Sequence, residues 1–186
     1  MLHAQVKLCL PAWVAEAIDH QAIYPDAAAQ IRLAIELARR NVAAGTGGPF
    51  GAAVFNRAGR LISVGVNRVT EQNCSLAHAE IMAFMTAQAR LRAFRLNADG
   101  DQYTLATSAQ PCCQCYGASF WAGIDNLLIG ARAEDVQTLT DFDEGPLPPD
   151  WVGELERRGI RVQRDLMREQ ARQVLADYRA AGGPSY

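Results

Sequence analysis

The amino-acid sequence predicts one α/β domain in which helices cover both faces of a mixed sheet, a three-layer helix-sheet-helix sandwich. The chain has 186 residues, the usual length of one domain, and 49% of them are hydrophobic, enough for a sizeable core. Two β-rich segments follow one another directly, and the later ones alternate with helical patterns, in the order β-β-α-β-α-β. The adjacent pair favours a hairpin and the alternation favours parallel strands, so the sheet is predicted to be mixed.

Two helical patterns precede the first strand. Residues 11–20 begin with a proline and carry apolar residues near helical spacing, so residues 1–25 are predicted to form a helical extension. The second helix is predicted to begin after Asp26, which can cap it, and to end at Gly45. Residues 26–186 are predicted to form the main domain. The apolar residues of the second helix recur at i, i+3, i+4 and i+7, as Ile31, Ala34, Ile35 and Ala38.

The remaining elements follow from short local patterns. Strands are predicted over residues 51–55, 61–66, 103–107, 126–130 and 160–163. The sequence Arg57-Ala58-Gly59 is predicted to turn between the first two strands. Helices are predicted over residues 77–92, 112–122, 151–158 and 165–181. In the helix over residues 77–92, Ile81, Phe84 and Met85 are predicted to point inward. Residues 141–150 contain three prolines and are predicted to form a loop.

Charge and composition exclude several classes of protein. The 18 basic and 20 acidic residues give a net charge of −2, which argues against a nucleic-acid-binding protein with a strongly basic face. No apolar run approaches the ~18 residues of a membrane span. The five cysteines are odd in number and three lie close together, so they are expected to be reduced thiols or metal ligands rather than a disulfide framework. We therefore expect a cytoplasmic protein.

Two short motifs supply a metal-binding set, each at the start of a predicted helix. They are Ala77-His78-Ala79-Glu80 and Pro111-Cys112-Cys113-Gln114-Cys115. Cys112 and Cys115 lie on one helix face and in the first turn, where the helix dipole favours thiolates. Cys113 lies about 100° around the helix and is the worse ligand. One imidazole and two thiolates make a three-ligand zinc set with the fourth position open for water, which is typical of catalytic zinc.

Glu80 distinguishes a catalytic zinc site from a structural one. At the start of a helix, two residues after His78, it lies beside the open position without ligating the ion. Because two thiolates offset the charge of the ion, the activation of water requires a nearby carboxylate that takes the proton. The alternative is a structural zinc module that uses His78 and the cysteines only for folding. Such a module has no need of Glu80 and closes its fourth position with another ligand.

The combination of His78-Ala79-Glu80 with Pro111-Cys112-x-x-Cys115 resembles the zinc-dependent nucleobase deaminases of the cytidine-deaminase-like superfamily. The resemblance implies a central five-stranded sheet flanked by helices and one zinc ion per chain. It also implies hydrolytic replacement of a ring amino group by oxygen, with release of ammonia. Zinc would activate the water in that reaction, and Glu80 would be the proton shuttle.

Further stretches resemble one branch of the superfamily, the bacterial guanine deaminases, from about residue 26 to the end. These stretches are Gly47–Ala52, Gly65–Thr70, Phe120–Ala122, Phe142–Glu144 and the terminal Tyr186. The likeness implies conversion of guanine to xanthine. In this branch the asparagine that matches Asn67 binds the purine edge, to which an amide offers both a donor and an acceptor. Glu144 matches a second catalytic carboxylate, which would hold the amino group and assist its departure.

Position in the chain adds three expectations around this site. Phe50 follows a Gly-Gly-Pro turn and is expected to wall the substrate pocket, although a core position suits it equally well. Adjacent residues of an extended loop face opposite ways, so Glu144 rather than Asp143 is expected to face the pocket. Trp121 is expected in the core first and at the pocket wall second.

The resemblance also implies a homodimer whose C-terminal segments are exchanged. The segment after Ala181 would cross to the partner and close its pocket, with Tyr186 near the bound base. The alternative is a frayed terminus, the usual fate of the last few residues of a domain.

Two other activities of the superfamily remain open. One is tRNA adenosine deamination, against which the net charge argues, since the arginines of residues 157–172 are interleaved with acidic residues. The other is cytidine or deoxycytidylate deamination, from which the Gly-Gly-Pro-Phe and Phe-Asp-Glu stretches differ. The chain departs from the guanine deaminase pattern at Gln110, where the family often has glutamate, and at Gln114, where it often has methionine.

Overall fold

The computed structural model describes residues 2–19 and 21–185, and its central sheet has five strands. The strands are β1 (Gly51–Asn56), β2 (Leu61–Val66), β3 (Tyr103–Ala109), β4 (Asn126–Ala131) and β5 (Arg161–Gln163). The helices are α1 (Trp13–Ala17), α2 (Ala27–Ala43), α3 (Val69–Gln72), α4 (Ala79–Leu91), α5 (Cys113–Ala122), α6 (Ala133–Leu139), α7 (Trp151–Arg157) and α8 (Arg168–Ala180), with a short 3₁₀ helix over Leu96–Asp99. Every predicted strand and helix is present. Within the described ranges no helix is long and apolar enough to cross a membrane.

The strands of the sheet lie in the order β2-β1-β3-β4-β5. β1 runs antiparallel to both β2 and β3, whereas β4 is parallel to β3 and to β5. The predicted turn joins β1 to β2, with Gly59 in the left-handed region at a φ of +74°. α5 forms the crossover that two parallel strands require between β3 and β4. The prediction of a mixed sheet is confirmed.

The two faces of the sheet pack against different helices. On β1, Ala53 and Phe55 contribute to the core shared with α2 and α8. The alternate residues Ala52 and Val54 contribute to the core shared with α4. Because successive side chains of a strand point to opposite faces, one strand serves both cores. The predicted three-layer arrangement is therefore present, with helices on both sides.

Two glycines let a helix on each face approach the sheet closely. A Cβ atom at Gly51 would lie 2.4 Å from the carbonyl oxygen of Ala34 in α2. A Cβ atom at Gly65 would lie 1.9 Å from the carbonyl oxygen of Ala79 in α4. Both distances are shorter than a real Cβ contact, so the absence of a side chain fixes how near these helices lie.

The buried face of α4 differs from the predicted one. Of the three residues predicted to point inward, Phe84 is buried, Ile81 is half-buried and Met85 is 44% exposed. Since the α4 backbone lies against Gly65 of β2, only small side chains fit between helix and sheet. The residues that fill this space are Ala79, Ala83 and Ala87. Helical spacing alone therefore predicts the inward face incorrectly at Met85.

The N-terminal segment is packed onto the domain. Its helix, α1, has five residues and is shorter than the predicted helix over residues 11–20, of which His20 lies outside the described residues. Val14 and Ile18 are buried in the core shared with α2. The apolar residues that predicted a helix here thus serve mainly to attach the segment.

Two short helices, α3 and α6, have no counterpart among the predicted elements. α3 has four residues and α6 has seven, which is too short for an apolar period to be recognised. At the start of α6, the carboxylate of Asp135 accepts a hydrogen bond of 2.9 Å from the backbone N–H of Arg132. This local contact, invisible to periodicity, begins the helix.

The same carboxylate ties α6 to α8. The Asp135 side chain is 1% exposed and accepts hydrogen bonds of 2.7 and 2.8 Å from Arg168, together with one from Arg172. Burial raises the pKa of the Asp135 carboxyl, but the hydrogen bonds from Arg168 and the charge of Arg172 outweigh it and hold that pKa at about 2. Asp135 is therefore ionised at neutral pH and stabilises the packing of the two helices.

We expect Asp135→Asn to lower the free energy of unfolding at pH 7 by about 1–3 kcal/mol, because two arginines lose their counter-charge. Since the folded pKa lies below that of unfolded aspartate, near 3.9, this stabilisation is complete above pH 4 and is lost as the pH falls towards 2. Urea unfolding of both proteins at pH 7 and between pH 4 and pH 2 measures the effect.

The matched control is Asp141→Asn, because the ion pair of Asp141 with Arg179 is exposed on both sides. Such a pair contributes about 0–1 kcal/mol. Equal losses for the two variants would contradict a role for burial at Asp135.

Candidate active site

Two helix N-termini meet on one side of the sheet. His78 precedes α4 as its N-cap residue, and Cys112 precedes α5 in the same way, after β3 has ended at Ala109. The Cys112 Sγ lies 3.4 Å from the His78 Nδ1, and the Cys115 Sγ lies 3.6 Å from the same nitrogen. Because both residues stand at helix starts, their side chains converge in front of the helix axes rather than along a shared face.

These three side chains can hold one metal ion. One ligand atom from each of His78, Cys112 and Cys115 lies within 4.8 Å of the other two. Among the described residues this is the one such group of histidine, cysteine and acidic side chains. Cys113 is exposed and outside the group, in agreement with its predicted position around the helix.

The donor set fits zinc by its chemistry. Two sulfurs and one imidazole nitrogen are the soft and borderline ligands that Zn²⁺ prefers, and their number leaves a fourth position open. A hydrogen bond from the Cys115 thiol lowers the pKa of Cys112 to about 4, against the effect of burial. That same contact, together with burial, raises the pKa of Cys115. Since zinc binds cysteine as the thiolate, the lowered pKa of Cys112 favours its ligand form.

Glu80 lies beside this group, buried in the first turn of α4. The hydroxyl of Thr107 donates to its Oε1 at 3.1 Å, and the Cys115 Sγ lies 3.3 Å from its Oε2. Burial and then the negative charge of Cys112 raise the pKa of Glu80. Thr107 is absent from the sequence-based candidates because every residue of β3 is buried, so no pattern singles it out.

A cavity of about 180 Å³ opens directly onto the ligand group. It is smaller than the ~300–1,000 Å³ of sites that hold drug-sized ligands, which suits a single small heterocycle. Its lining contains most of the predicted site residues. The lining residues used below are Phe50, Asn67, His78, Glu80, Gln110, Cys112, Phe142, Asp143 and Glu144.

Asn67 and Phe50 both reach this cavity, as predicted. Asn67 is buried at the end of β2, and its Oδ1 accepts a hydrogen bond of 3.2 Å from the backbone N–H of Val69. Its own backbone N–H donates to the carbonyl of Phe50 at 3.1 Å. The Phe50 ring contacts that of Phe142 with centroids 5.2 Å apart. Phe50 therefore fits both expectations, since it packs against the core and also lines the cavity.

Glu144 and Asp143 face opposite ways, as the extended loop predicts. Glu144 is buried, whereas Asp143 is exposed at the cavity rim and accepts a hydrogen bond from the backbone N–H of Gly145. The carbonyl of Glu144 accepts a hydrogen bond of 3.0 Å from the backbone N–H of Cys113, which fastens this loop to the start of α5. Burial, with the charges of Cys112 and Glu80, raises the pKa of Glu144 to about 8.

Four further residues that the sequence analysis singled out have a different outcome. Tyr186 lies outside the described residues. Trp121 is 73% exposed on the outer side of α5 and belongs neither to the core nor to the cavity, so its predicted position is wrong. Gln110, one departure from the family pattern, is buried and lines the cavity. The other departure, Gln114, points away and donates to the carbonyl of Leu76.

Comparison with known proteins identifies the family. Residues 26–131, more than half of the chain, match the model of the cytidine and deoxycytidylate deaminase zinc-binding region. The guanine deaminase of Bacillus subtilis is 42% identical over 56% of this chain, a match that spans 64% of that enzyme. A tRNA-specific adenosine deaminase of Buchnera aphidicola is 29% identical over 64% of this chain and 72% of its own length.

Solved structures extend the likeness over almost the whole chain. The guanine deaminase of Nitrosomonas europaea has a TM-score of 0.91 and 42% identity, over 97% of this chain and 99% of its own. A structure in complex with 2,6-diaminopurine has the same TM-score and 44% identity, over 97% and 95%. Since 97% of the chain is matched, the likeness includes most of residues 1–25, which the sequence motifs alone left outside it.

The fold, the metal-binding group and the buried carboxylate together define a zinc-dependent hydrolase with a deaminase domain. The chain belongs to the family of the cytidine and deoxycytidylate deaminase zinc-binding region, within which it is similar to guanine deaminases.

We expect one zinc ion per chain, and we expect Cys112→Ala and Cys115→Ala each to lose most of it, because two remaining ligands do not retain zinc well. Cys113→Ala is the matched control on the same helix turn and should keep the metal, since its side chain lies outside the group. Metal analysis of purified protein measures the content. If Cys113→Ala emptied the site instead, the assignment of the two sulfur ligands would be wrong.

Proposed function

We propose that this protein is a guanine deaminase, which converts guanine and water into xanthine and ammonia. The observation that carries this proposal is the likeness, over 97% of the chain and at a TM-score of 0.91, to the guanine deaminase of Nitrosomonas europaea. Similar structures contain 8-azaguanine, an analogue of guanine, or 2,6-diaminopurine, a purine base. A cavity of about 180 Å³ beside the ligand group has the size for one such base.

His78, Cys112 and Cys115 hold the zinc ion in this proposal. When bound, zinc supplies Lewis-acid activation of water at neutral pH. Two thiolates offset the charge of the ion, so the proton of the attacking water must be taken by a group of the protein.

Glu80 is the group placed to take that proton. Its carboxylate is buried and held by Thr107 at one oxygen, which leaves little freedom for it to turn away. Its raised pKa brings it closer to the working pH, where a group can both accept and donate a proton. Glu80 takes a proton from water as the new carbon–oxygen bond forms and passes it to the ring nitrogen. It then takes the second proton, which the new hydroxyl releases as it becomes the carbonyl, and delivers it to the departing amine.

Glu144 is the second carboxylate of the proposed mechanism. The exocyclic amine is a poor leaving group until it is protonated, and Glu80 already serves both water and ring nitrogen. Glu144 lies buried in the cavity lining, beside the metal-binding group. It accepts a hydrogen bond from the amino group and holds that group in place as Glu80 delivers its proton and the carbon–nitrogen bond breaks, so that ammonia leaves.

Asn67 and Phe50 bind the base. Because the Oδ1 of Asn67 is engaged by the N–H of Val69, its Nδ2 is the part of the amide available to an acceptor on the purine edge. Phe50 provides an aromatic wall, supported from behind by Phe142. Tyr186 remains predicted near the base.

A tRNA substrate suits the surface less well. The arginines of the C-terminal half are largely paired, as Arg157 and Arg158 are with Glu154, and Arg168 and Arg172 with Asp135. Paired arginines leave little free positive charge to bind phosphates. We therefore propose a small-molecule substrate and no nucleic acid. A structural zinc module also fits poorly, because it needs neither a buried Glu80 nor a cavity beside the metal ligands.

A homodimer with exchanged C-terminal segments and a cytoplasmic location both stay predictions. The dimer is supported by three apolar side chains on one outer surface: Met85 on α4, Phe94 in the loop after α4 and Trp121 on α5, which are 44%, 87% and 73% exposed. Exposed clusters of large apolar side chains are typical of surfaces that bind another protein.

Steady-state assays of ammonia release from the zinc-loaded protein test the proposed function. We expect guanine to be deaminated with a kcat/KM at least a hundredfold above that of adenine, cytosine, cytidine or deoxycytidylate, since the likeness is to guanine deaminases, and the small cavity leaves little room for a ribose or a phosphate. Comparable turnover of cytidine without turnover of guanine would overturn the substrate assignment. Turnover of none of these compounds by a protein with full zinc content would favour the structural module.

The roles of the carboxylates are tested by Glu144→Gln, with Asp143→Asn as its neighbour control. We expect Glu80→Gln and Glu144→Gln each to lower kcat about 10²–10⁴-fold, because the first removes the group that transfers protons and the second removes the acceptor that holds the leaving amino group, while the zinc ligands stay intact. Asp143→Asn should change kcat by less than a few-fold, since its side chain lies at the exposed rim. Zinc content and thermal unfolding of each variant serve as checks. The reverse order of the two losses would assign the role to Asp143.

A further inference from the structure

A fully buried asparagine in α2 reaches the residue that is proposed to bind the base. Asn41 is 0% exposed, and its Nδ2 donates to the backbone carbonyls of Gly48 and Asn67, both at 2.9 Å. A buried amide stabilises a protein only where its hydrogen bonds are satisfied, and here the acceptors are backbone carbonyls at Asn67 and in the loop beside it. Asn41 therefore connects the body of α2 to the cavity wall.

A relay from the N-terminal segment sets the orientation of this amide. The indole Nε1 of Trp13 donates to the Oγ1 of Thr46 at 3.0 Å, and that hydroxyl lies 2.8 Å from the Oδ1 of Asn41. An indole N–H can only donate, so the hydroxyl of Thr46 must accept from Trp13 and has its single proton left for Asn41. The Oδ1 of Asn41 is thereby held towards Thr46, and its Nδ2 towards the two carbonyls.

Two hydrogen bonds from Arg68 connect the N-terminal segment to the loop that contains Thr46. Arg68, the residue after Asn67, donates to the carbonyls of Thr46 and of Cys9, the latter at 3.3 Å. A Cβ atom at Gly47 would lie 1.9 Å from the carbonyl oxygen of Asn67, so the loop sits directly against that carbonyl. Residues 9–13 thus reach the substrate-binding asparagine through its neighbours without lining the cavity.

Every polar group of Asn67 except its Nδ2 is engaged by the protein. The backbone N–H donates to Phe50, the carbonyl accepts from Asn41, and the Oδ1 accepts from Val69. The Nδ2 is therefore the part of Asn67 left to bind a substrate, and the three hydrogen bonds fix its position. A group that recognises a small ring must be placed within a fraction of an ångström, and loss of one such contact loosens that placement.

We propose that Asn41 is a positioning residue for Asn67, and that Trp13 and Thr46 fix the orientation of the Asn41 amide. The N-terminal segment then sets the affinity for the substrate without touching it. This inference rests on the proposed function, in which Asn67 binds the base.

The test uses Thr46→Val, which removes the hydroxyl at almost unchanged shape, and Trp13→Phe, which removes the indole N–H and keeps a smaller aromatic ring at the same place. Each variant should raise the KM for guanine about 5–10-fold and leave kcat within twofold, because the loss falls on binding rather than on proton transfer. The matched control, Thr138→Val, removes a hydroxyl that bonds only to the carbonyl of Glu134 on α6 and should change neither constant. A fall in kcat at unchanged KM for Thr46→Val and Trp13→Phe would overturn the inference.

Combination with Asn67→Ala separates positioning from general loss of structure. If Thr46 acts through Asn67, Thr46→Val should add no more than a twofold rise in KM once Asn67 has lost its amide, whereas independent effects multiply. Multiplication of the two effects, or an Asn67→Ala variant with unchanged KM, would overturn the inference.

Hydrogen exchange gives a readout that needs no substrate. In Thr46→Val, the backbone amides of residues 46–50 and 66–70 should exchange at least tenfold faster than in the parent protein. The exchange rates of amides in α5 and α8 should stay unchanged. If the parent protein did not deaminate guanine, the proposed function would fail, and this measurement would still decide whether the relay holds the loop. Unchanged exchange in both segments would show that it does not.

Discussion

The meeting of two helix N-termini is the constraint on which the rest of this structure depends. α4 and α5 each begin with a ligand residue, and their starts lie close enough that the Sγ atoms of Cys112 and Cys115 are 3.4 and 3.6 Å from one nitrogen of His78. The positive ends of both helix dipoles point at this spot and favour thiolates there. The close approach of α4 to β2 at Gly65 and the crossover from β3 through α5 produce that meeting.

Buried negative groups surround the metal ligands. Glu80 and Glu144 are both buried close to the Cys112 thiolate, and burial together with like charge raises the pKa of each. Carboxyl groups with a raised pKa are suited to take and return protons near neutral pH. The site therefore combines a cation-binding group with two buried carboxyl groups beside a small cavity, the arrangement on which the proposed deamination of a base depends.

Elements far from the metal ligands hold the cavity walls in place. On one side the ring of Tyr178 in α8 stacks on Phe142 at 6.0 Å, and Phe142 supports Phe50. The hydroxyl of Tyr178 donates to the carbonyl of Pro184, so the described part of the C-terminal segment lies against this aromatic stack. On the other side the N-terminal segment reaches Asn67 through Thr46 and Asn41. Both ends of the chain thus support the cavity without supplying its metal ligands.

The sequence by itself determined the strands and longer helices, the mixed sheet, and the ligand group with Glu80. Each of these is encoded locally, by apolar period, by turn residues or by two short motifs that supply zinc ligands. The alternation that places Glu144 inward and Asp143 outward is local as well. The tertiary structure alone decided the inward face of α4, the exposure of Trp121, the hydroxyl of Thr107 beside Glu80 and the relay from Trp13 to Asn67. These features join residues distant in sequence, so they depend on how closely helices and sheet approach, and no local pattern records that distance.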